Sequence, residues 1–262
     1  MALVDSSWQF TRAVTRKPGR SVVNGLRAVD VGAPDFDLLM THHAAYIHAL
    51  RQAGAEVIEL EAEEEFPDAL FVEDTALCLP EGVILMRPGA PSRLGEVDVI
   101  AEHLAPLFPR MARISGPGTI EAGDILTTPR EVLVGQSART NSDGIAELAS
   151  LLESWGRTLR EVPVPEGVLH FKTDCSLLDG KTILSTQRLA DTGVFDSYKV
   201  ILTAQGEEAA ANAIRYNDYV IMPEGFPKTT ESLRQAGYLV TCVGNSECAK
   251  LDGGMSCLSL RF

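Results

Sequence analysis

LDGGMSCLSLRF, residues 251–262, sets two glycines and a cysteine directly ahead of an apolar run. A floppy terminus would be polar and featureless. This stretch reads instead as a tight turn feeding a strand, with Cys257 at its mouth. Gly253 and Gly254 permit backbone geometry that other residues avoid, which predicts a constrained, exposed Cys257. Free cysteine also packs as a small apolar residue, so Cys257 taken alone reads equally as a buried structural thiol. The choice rests on what the remainder of the chain supplies.

Upstream, the sequence divides into units that share a plan. A helix pattern ends at glycine, a short strand follows, then a polar loop, then a hairpin of two apolar strands. The first unit has Phe36, Leu39, Met40, Ala44, Ile47 and Leu50 at helical spacing, Gly54 as the stop, and a strand at 55–60. FVEDTALCL and GVILMRPG are its two further strands. The second has a helix from VDVIAEHLAPLF, strained at Pro106, then MARIS, GTIEAGDIL and EVLVGQSAR as strands. The third opens at Asn141 or Ser142 as a helix cap, stops at Gly156, and continues through LREVPVP to a hairpin turning at Asp179-Gly180. The fourth is weaker: YKVILTAQ reads as strand, GEEAAANAIRYN as helix, YVIMPE as strand, and TTESLRQAGYLVTCVG as helix and strand. The period is about 50 residues, in the range of repeat architectures. Because every unit mixes a helix with a hairpin, a closed ring of α/β modules fits better than a solenoid. The N-terminal strand would complete a module begun by the C-terminal helix. An irregular α/β sandwich is the alternative.

The 262 residues suffice for a large core, and 45% apolar content marks a globular chain. A net charge of −13 argues against nucleic acid or an anionic membrane as the main partner. No apolar run reaches the roughly 18 residues of a membrane span, and no signal peptide pattern is present. The five cysteines are odd in number and widely spaced, with no CxxC pair. A reduced, cytoplasmic compartment fits, and a thiolate zinc site does not. His42, His43 and His48 lack metalloprotease spacing and read as surface or half-buried residues.

A cysteine nucleophile needs a base, and the base needs an orienting group. His170 stands in a strand-like repeat position, and Glu121 interrupts an apolar strand. Either one alone reads as structural: a satisfied core histidine, an edge carboxylate. Together with Cys257, at matching ends of repeated units, they form the logic of a covalent hydrolytic site. Glu73 and Asp74, embedded after Phe71-Val72 with Asp68 just upstream, suit a bound cation. A guanidinium, planar and rich in donors, matches paired carboxylates. Arg93 and Arg139 follow strands and match a carboxylate.

At this point FPDALFVEDTALCL, GTIEAGDIL, GQSARTN, VLHFKTD and ECAKLDGGMSCLSLRF resemble, in order, motifs of the dimethylarginine dimethylaminohydrolase family. That family belongs to the pentein superfamily of guanidino-group-modifying enzymes. The resemblance spans residues 12–262 and implies a five-bladed α/β propeller of ββαβ modules around a central pocket, with residues 1–262 as a single catalytic domain. It implies Cys257 as nucleophile, His170 as general acid/base and Glu121 as the group orienting it. Asp68, Glu73 and Asp74 would hold the guanidinium, and Arg93 and Arg139 the α-carboxylate of a small-molecule substrate. Leu26 would sit on a substrate-covering loop. Cys175 receives no role. The implied reaction converts ω-methylated arginine to citrulline and a methylamine through a thiouronium intermediate, with no metal or organic cofactor. Outward helices of such a ring can pair, so a homodimer is compatible with it. Two rivals stand beside this reading. One is a deiminase-like hydrolase or amidinotransferase on the same fold, separable by the room around the leaving nitrogen. The other is a non-catalytic binding protein, separable by the reactivity of Cys257.

Overall fold

The computed structural model describes residues 7–262. Its strands form five three-stranded sheets among the described residues. In chain order the elements are β1 (Arg12–Arg16), α1 (Phe36–Gln52), β2 (Glu56–Leu60), β3 (Ala76–Leu79), β4 (Gly82–Leu85), α2 (Glu96–Leu104), β5 (Met111–Arg113), β6 (Ile125–Thr127), β7 (Val132–Gly135), α3 (Ser142–Ser154) and β8 (Leu159–Val162). They continue with β9 (Cys175–Asp179), β10 (Thr182–Ser185), α4 (Gln187–Ala190), β11 (Lys199–Leu202), β12 (Ile214–Tyr216), β13 (Tyr219–Pro223), α5 (Pro227–Gln235), β14 (Leu239–Val243), α6 (Ser246–Ala249) and β15 (Leu260–Arg261).

Each sheet repeats one scheme. An inner strand pairs antiparallel with a middle strand, and a helix then crosses over to an outer strand parallel to the middle one. The ring closes through both ends of the chain: Ala13 lies opposite Arg261 and Val14 opposite Leu260, while β1 runs parallel to β2. This is the five-bladed pentein propeller. The first blade takes its inner strand from the C-terminus and its helix, α1, from the N-terminal half.

The expected fourth unit spans two blades: β11 completes the blade of β9 and β10, and β12, β13 and β14 form the next. Helix α4, which crosses over to β11, is a single turn, too short to show amphipathic spacing. GEEAAANAIRYN is also not a helix. Only Glu208–Ala211 coils, as a 3-10 turn, and Ile214–Tyr216 leaves as strand. Alanine favours helix locally, but pairing of Ile214 with Ile221 and Tyr216 with Tyr219 buries both ends of β12, and tertiary pairing overrides propensity.

Burial is graded across each blade. The middle strands β4, β7 and β10 are buried along their whole length, and the outer strands β2 and β8 are mostly half-buried or exposed. Each fully buried Leu, Ile or Val contributes about 1.5–3 kcal/mol, so the middle strands carry much of the stability. Helix ends follow local chemistry. Asp35 caps α1 by accepting from the Leu38 N–H, and Asn141 caps α3 by accepting from the Gly144 N–H. Helix α2 stops at Leu104, short of Pro106. No helix among the described residues is long and apolar enough to cross a membrane.

The inner strands surround an axial channel of about 110 Å³. The turns that enter these strands gather at one end of the ring and carry, or are capped by, Glu73, Asp74, Glu121, His170 and Cys257.

His43 departs from its expected surface or half-buried role. Helix α1 turns it inward, where it is 3% exposed and its Nε2 has no partner. Burial lowers its pKa to about 4. The unfolded chain takes up this proton below about pH 6.5 and the native state only below about 4. Stability therefore falls as pH drops through that window, by about 3 kcal/mol in total. Denaturant melts of the wild type and His43→Gln between pH 7 and 4 check this: the variant loses the His43 part of the slope, and parallel slopes contradict it.

Candidate active site

Every inner strand is preceded by a 3-10 turn: Val72–Thr75, Ala122–Asp124, Phe171–Thr173, Glu208–Ala211 and Ser256–Leu258. The sequence reading took the polar residues there as parts of strands. They instead lie on or beside these turns, which is why their side chains point along the ring axis rather than across a sheet. A cavity of about 140 Å³ lies over the turns, lined by Leu26, Asp68, Asp74, Arg93, Glu121, Arg139, His170 and Cys257. Eight of the nine residues named from sequence thus meet in one place; the ninth, Glu73, does not line it.

Cys257 is buried rather than exposed, at 8%, and opens onto this cavity. Neither Gly253 nor Gly254 has a left-handed φ; Asp252 does, at 58°. The glycines answer to crowding instead. A Cβ on Gly253 would stand 2.3 Å from the Phe71 ring, and one on Gly254 2.2 Å from the Asn212 carboxamide. Removal from water, together with the Glu73 and Asp74 carboxylates, pushes the thiol up to about 12. The Gly254 N–H, donating to Sγ at 3.4 Å, opposes this. At rest Cys257 is a thiol.

His170 Nε2 lies 2.6 Å from Glu121 Oε2. Glu121 is fully buried, and its other oxygen accepts from the Gly89 N–H at 3.0 Å, with Arg139 Nη1 at 3.7 Å. Burial alone would lower the imidazole pKa. Asp74, Glu121 and Asp124 outweigh it and hold His170 up at about 9, so the ring is an imidazolium at neutral pH. Asp124 also fixes the histidine turn, accepting from the Phe171 N–H at 2.9 Å.

Asp74 accepts from the Gly123 N–H at 3.1 Å and from Arg93 Nη1 at 2.6 Å. Arg93 is more committed than the sequence implied. Its Nε and Nη2 serve Glu96 and the Phe71 and Asp68 carbonyls, leaving only an Nη1 hydrogen beyond the Asp74 bond. Arg139 is the less encumbered cation. Asp68 accepts from the Leu26 N–H at 2.9 Å, which ties the 25–34 loop over the cavity, and Asp252 accepts from the Ala28 N–H at 2.6 Å. Glu73 faces the axial channel instead, where Lys172 at 2.6 Å and Arg261 at 2.9 Å hold its Oε1; its Oε2 is buried without a partner.

Asp74, Glu121 and His170 have donor atoms close enough for a metal ion. The cation at the centre of this group is the imidazolium itself. Residues that the sequence reading missed are Gly89, Gly123, Asp124, Asn212 and Glu96. Gly123 sits in plain view within GTIEAGDIL, but its role depends on two side chains from other modules.

The fold and the carboxylate-lined cavity with cysteine and histidine define a guanidino-group-modifying pentein. The family profile described as arginine deiminase matches residues 62–221. The N(G),N(G)-dimethylarginine dimethylaminohydrolase of Pseudomonas aeruginosa is 40% identical over 254 residues, covering 97% of this chain and 100% of its own. That of Streptomyces coelicolor is 31% identical, covering 96% of each chain. A solved structure of the Pseudomonas aeruginosa enzyme, a cysteine-to-serine mutant complexed with citrulline, superposes with a TM-score of 0.94 over 97% of this chain and 100% of that one, at 39% identity. The chain belongs to the dimethylarginine dimethylaminohydrolase family.

A Cβ at Gly123 would lie 2.7 Å from Asp74 Oδ1 and 2.9 Å from the His170 ring. Gly123→Ala should therefore keep its far-ultraviolet circular dichroism and lose about 100-fold in turnover, since displacements near 1 Å cost that much. Wild-type turnover in this variant would mean that the crowding is relieved without moving either group.

Proposed function

We propose that this protein hydrolyses ω-methylated arginine to citrulline and dimethylamine or methylamine, with Cys257 as nucleophile. The observation that carries the reading is the convergence, over one cavity, of the Cys257 thiol, the Glu121-held imidazolium and the Asp68 and Asp74 carboxylates. The dimethylarginine dimethylaminohydrolase relatives, and citrulline bound in one of them, support the substrate class.

The resting charges shape the mechanism. Cys257 is protonated because burial, and then Glu73 and Asp74, make a thiolate unfavourable. A guanidinium held by Asp74 reverses that field, and the thiol proton leaves to solvent as substrate binds. The thiolate attacks the guanidinium carbon, and the carboxylates keep the substrate's charge localised as that carbon becomes tetrahedral. His170 gives its proton to the departing amine, the C–N bond breaks, and a thiouronium remains on Cys257. The neutral imidazole then takes a proton from water, whose oxygen attacks the same carbon. Collapse breaks the C–S bond, the proton of the added hydroxyl passes to the departing sulfur to restore the resting thiol, citrulline is released, and His170 is left protonated again. Glu121 holds the ring throughout. Arg139, with the remaining Arg93 hydrogen, takes the α-carboxylate, and Leu26 covers the site. Glu73 acts through its charge on the sulfur rather than by direct contact.

Purified protein incubated with asymmetric dimethylarginine should yield citrulline and dimethylamine in equal amounts, and Cys257→Ser should stay folded with turnover reduced more than about 1,000-fold. Folded protein that forms no citrulline from any methylated arginine would refute the reading. The resting thiol has a second consequence. Inactivation of the free enzyme by iodoacetamide should still be accelerating at pH 9, whereas a plateau near neutral pH would contradict a carboxylate-suppressed thiolate.

A further inference from the structure

Four of the five turns carry residues already assigned: Cys257, the Glu73–Asp74 pair, Glu121 with Asp124, and His170. The fifth, Glu208–Ala211, ends in Asn212, a buried carboxamide whose backbone leaves the helical region at φ −79° and ψ 71°. Its Oδ1 accepts from the Ser256 N–H at 2.9 Å, and its Nδ2 lies 4.0 Å from Cys257 Sγ. The Oδ1 bond decides which way the amide faces, so the NH₂ group is the end turned toward sulfur. The absence of a Cβ on Gly254 is what admits the carboxamide so close to the nucleophile turn.

We propose that Asn212 is a positioning residue for the nucleophile: it locks the turn bearing Cys257 and, together with the Gly254 N–H, supplies a donor to the thiolate that forms on substrate binding. The inference rests on the reading of Cys257 as nucleophile. The groups coupled to the sulfur include Glu73 and Asp74 on the turn before β3, Lys172 on the histidine turn, Cys248 on α6, and Tyr46 on α1. The cations nearby are committed elsewhere: Lys172 to Glu73 at 2.6 Å and, lining the same cavity as Cys257, the His170 imidazolium to Glu121 at 2.6 Å, Arg93 to Asp74 at 2.6 Å and Arg139 to Glu121 at 3.7 Å. Neutral donors therefore matter more here than in a site rich in free cations. The Gly254 N–H and the Asn212 carboxamide are the two that reach Sγ among the bonds described. A bond to an anionic sulfur is stronger than one to a thiol, so losing it lowers the share of substrate-bound enzyme that carries the reactive thiolate, and that share is read in kcat.

Asn212→Asp separates locking from donation. The carboxylate has the same shape and can still accept from the Ser256 N–H, but it offers sulfur no donor. Expected are a kcat lower by about 10- to 100-fold, KM within about twofold, and iodoacetamide inactivation about tenfold slower at any fixed pH below 9. Asn212→Ser, uncharged and shorter, should show the same pattern with smaller shifts, and it decides the matter if the aspartate variant fails to fold. Variants that lower the melting temperature while keeping wild-type kcat and wild-type alkylation rates would overturn the proposal and leave Asn212 a structural clamp. Failure of the underlying reading looks different. Wild-type protein carbamidomethylated at Cys257 would retain turnover, whatever the Asn212 variants do.

Discussion

Glu121 is a carboxylate with no exposed surface, and a charge survives such burial only if other groups replace the water it has lost. An imidazolium at 2.6 Å, a backbone N–H at 3.0 Å and a guanidinium at 3.7 Å do so here. Remove that carboxylate and His170 has less reason to hold a proton at neutral pH, Gly89 loses its acceptor, and Arg139 loses an anchor. The Glu121–His170 contact joins two modules, and the other charged residues are arranged around it. Asp74 faces the same imidazolium and is steadied by Arg93, which is itself held by Glu96.

This chain of charges depends on topology. Residues 121 and 170 belong to successive blades and Cys257 to the blade that the two ends of the chain build jointly. Only a closed ring brings the entry turns of all five blades to one end of an axis. The β1–β15 pairing is consequently as relevant to the site as to stability, because it sets the height of the Cys257 turn relative to the others. The Tyr46 hydroxyl reinforces that setting, donating to the Met255 carbonyl at 2.9 Å with Ser259 Oγ at 2.7 Å. The axial channel lies behind the turns, and Glu73, bridged to Lys172 and Arg261, lines it while still acting electrostatically on the sulfur.

Much of this was legible in the sequence wherever local chemistry is strong. Long amphipathic helices, the cap at Asn141, the apolar hairpins and the ordered motifs all stand where they were expected. What was misread involved short elements or distant partners. Helix α4 is one turn and leaves no periodic trace. The alanine run before Ile214 favours helix until β13 claims that residue. His43 looks like its polar neighbours 42 and 48 until α1 is rotated against the sheets. Glu73 and Asp74 are adjacent in sequence and alike in chemistry, yet the turn that carries them sends one to the channel and the other to the cavity.

The sequence by itself determined the module plan, the residue types available for nucleophilic chemistry on a cationic substrate, and which of them recur just ahead of hairpins. These are local properties, written in spacing and side-chain type. The tertiary structure alone decided where the weak fourth unit divides between two blades, the committed state of Arg93, the exclusion of Glu73 from the cavity wall, and the protonation states of Cys257 and His170. Those depend on burial and on through-space charge, which fall off with distance in three dimensions and have no counterpart in separation along the chain.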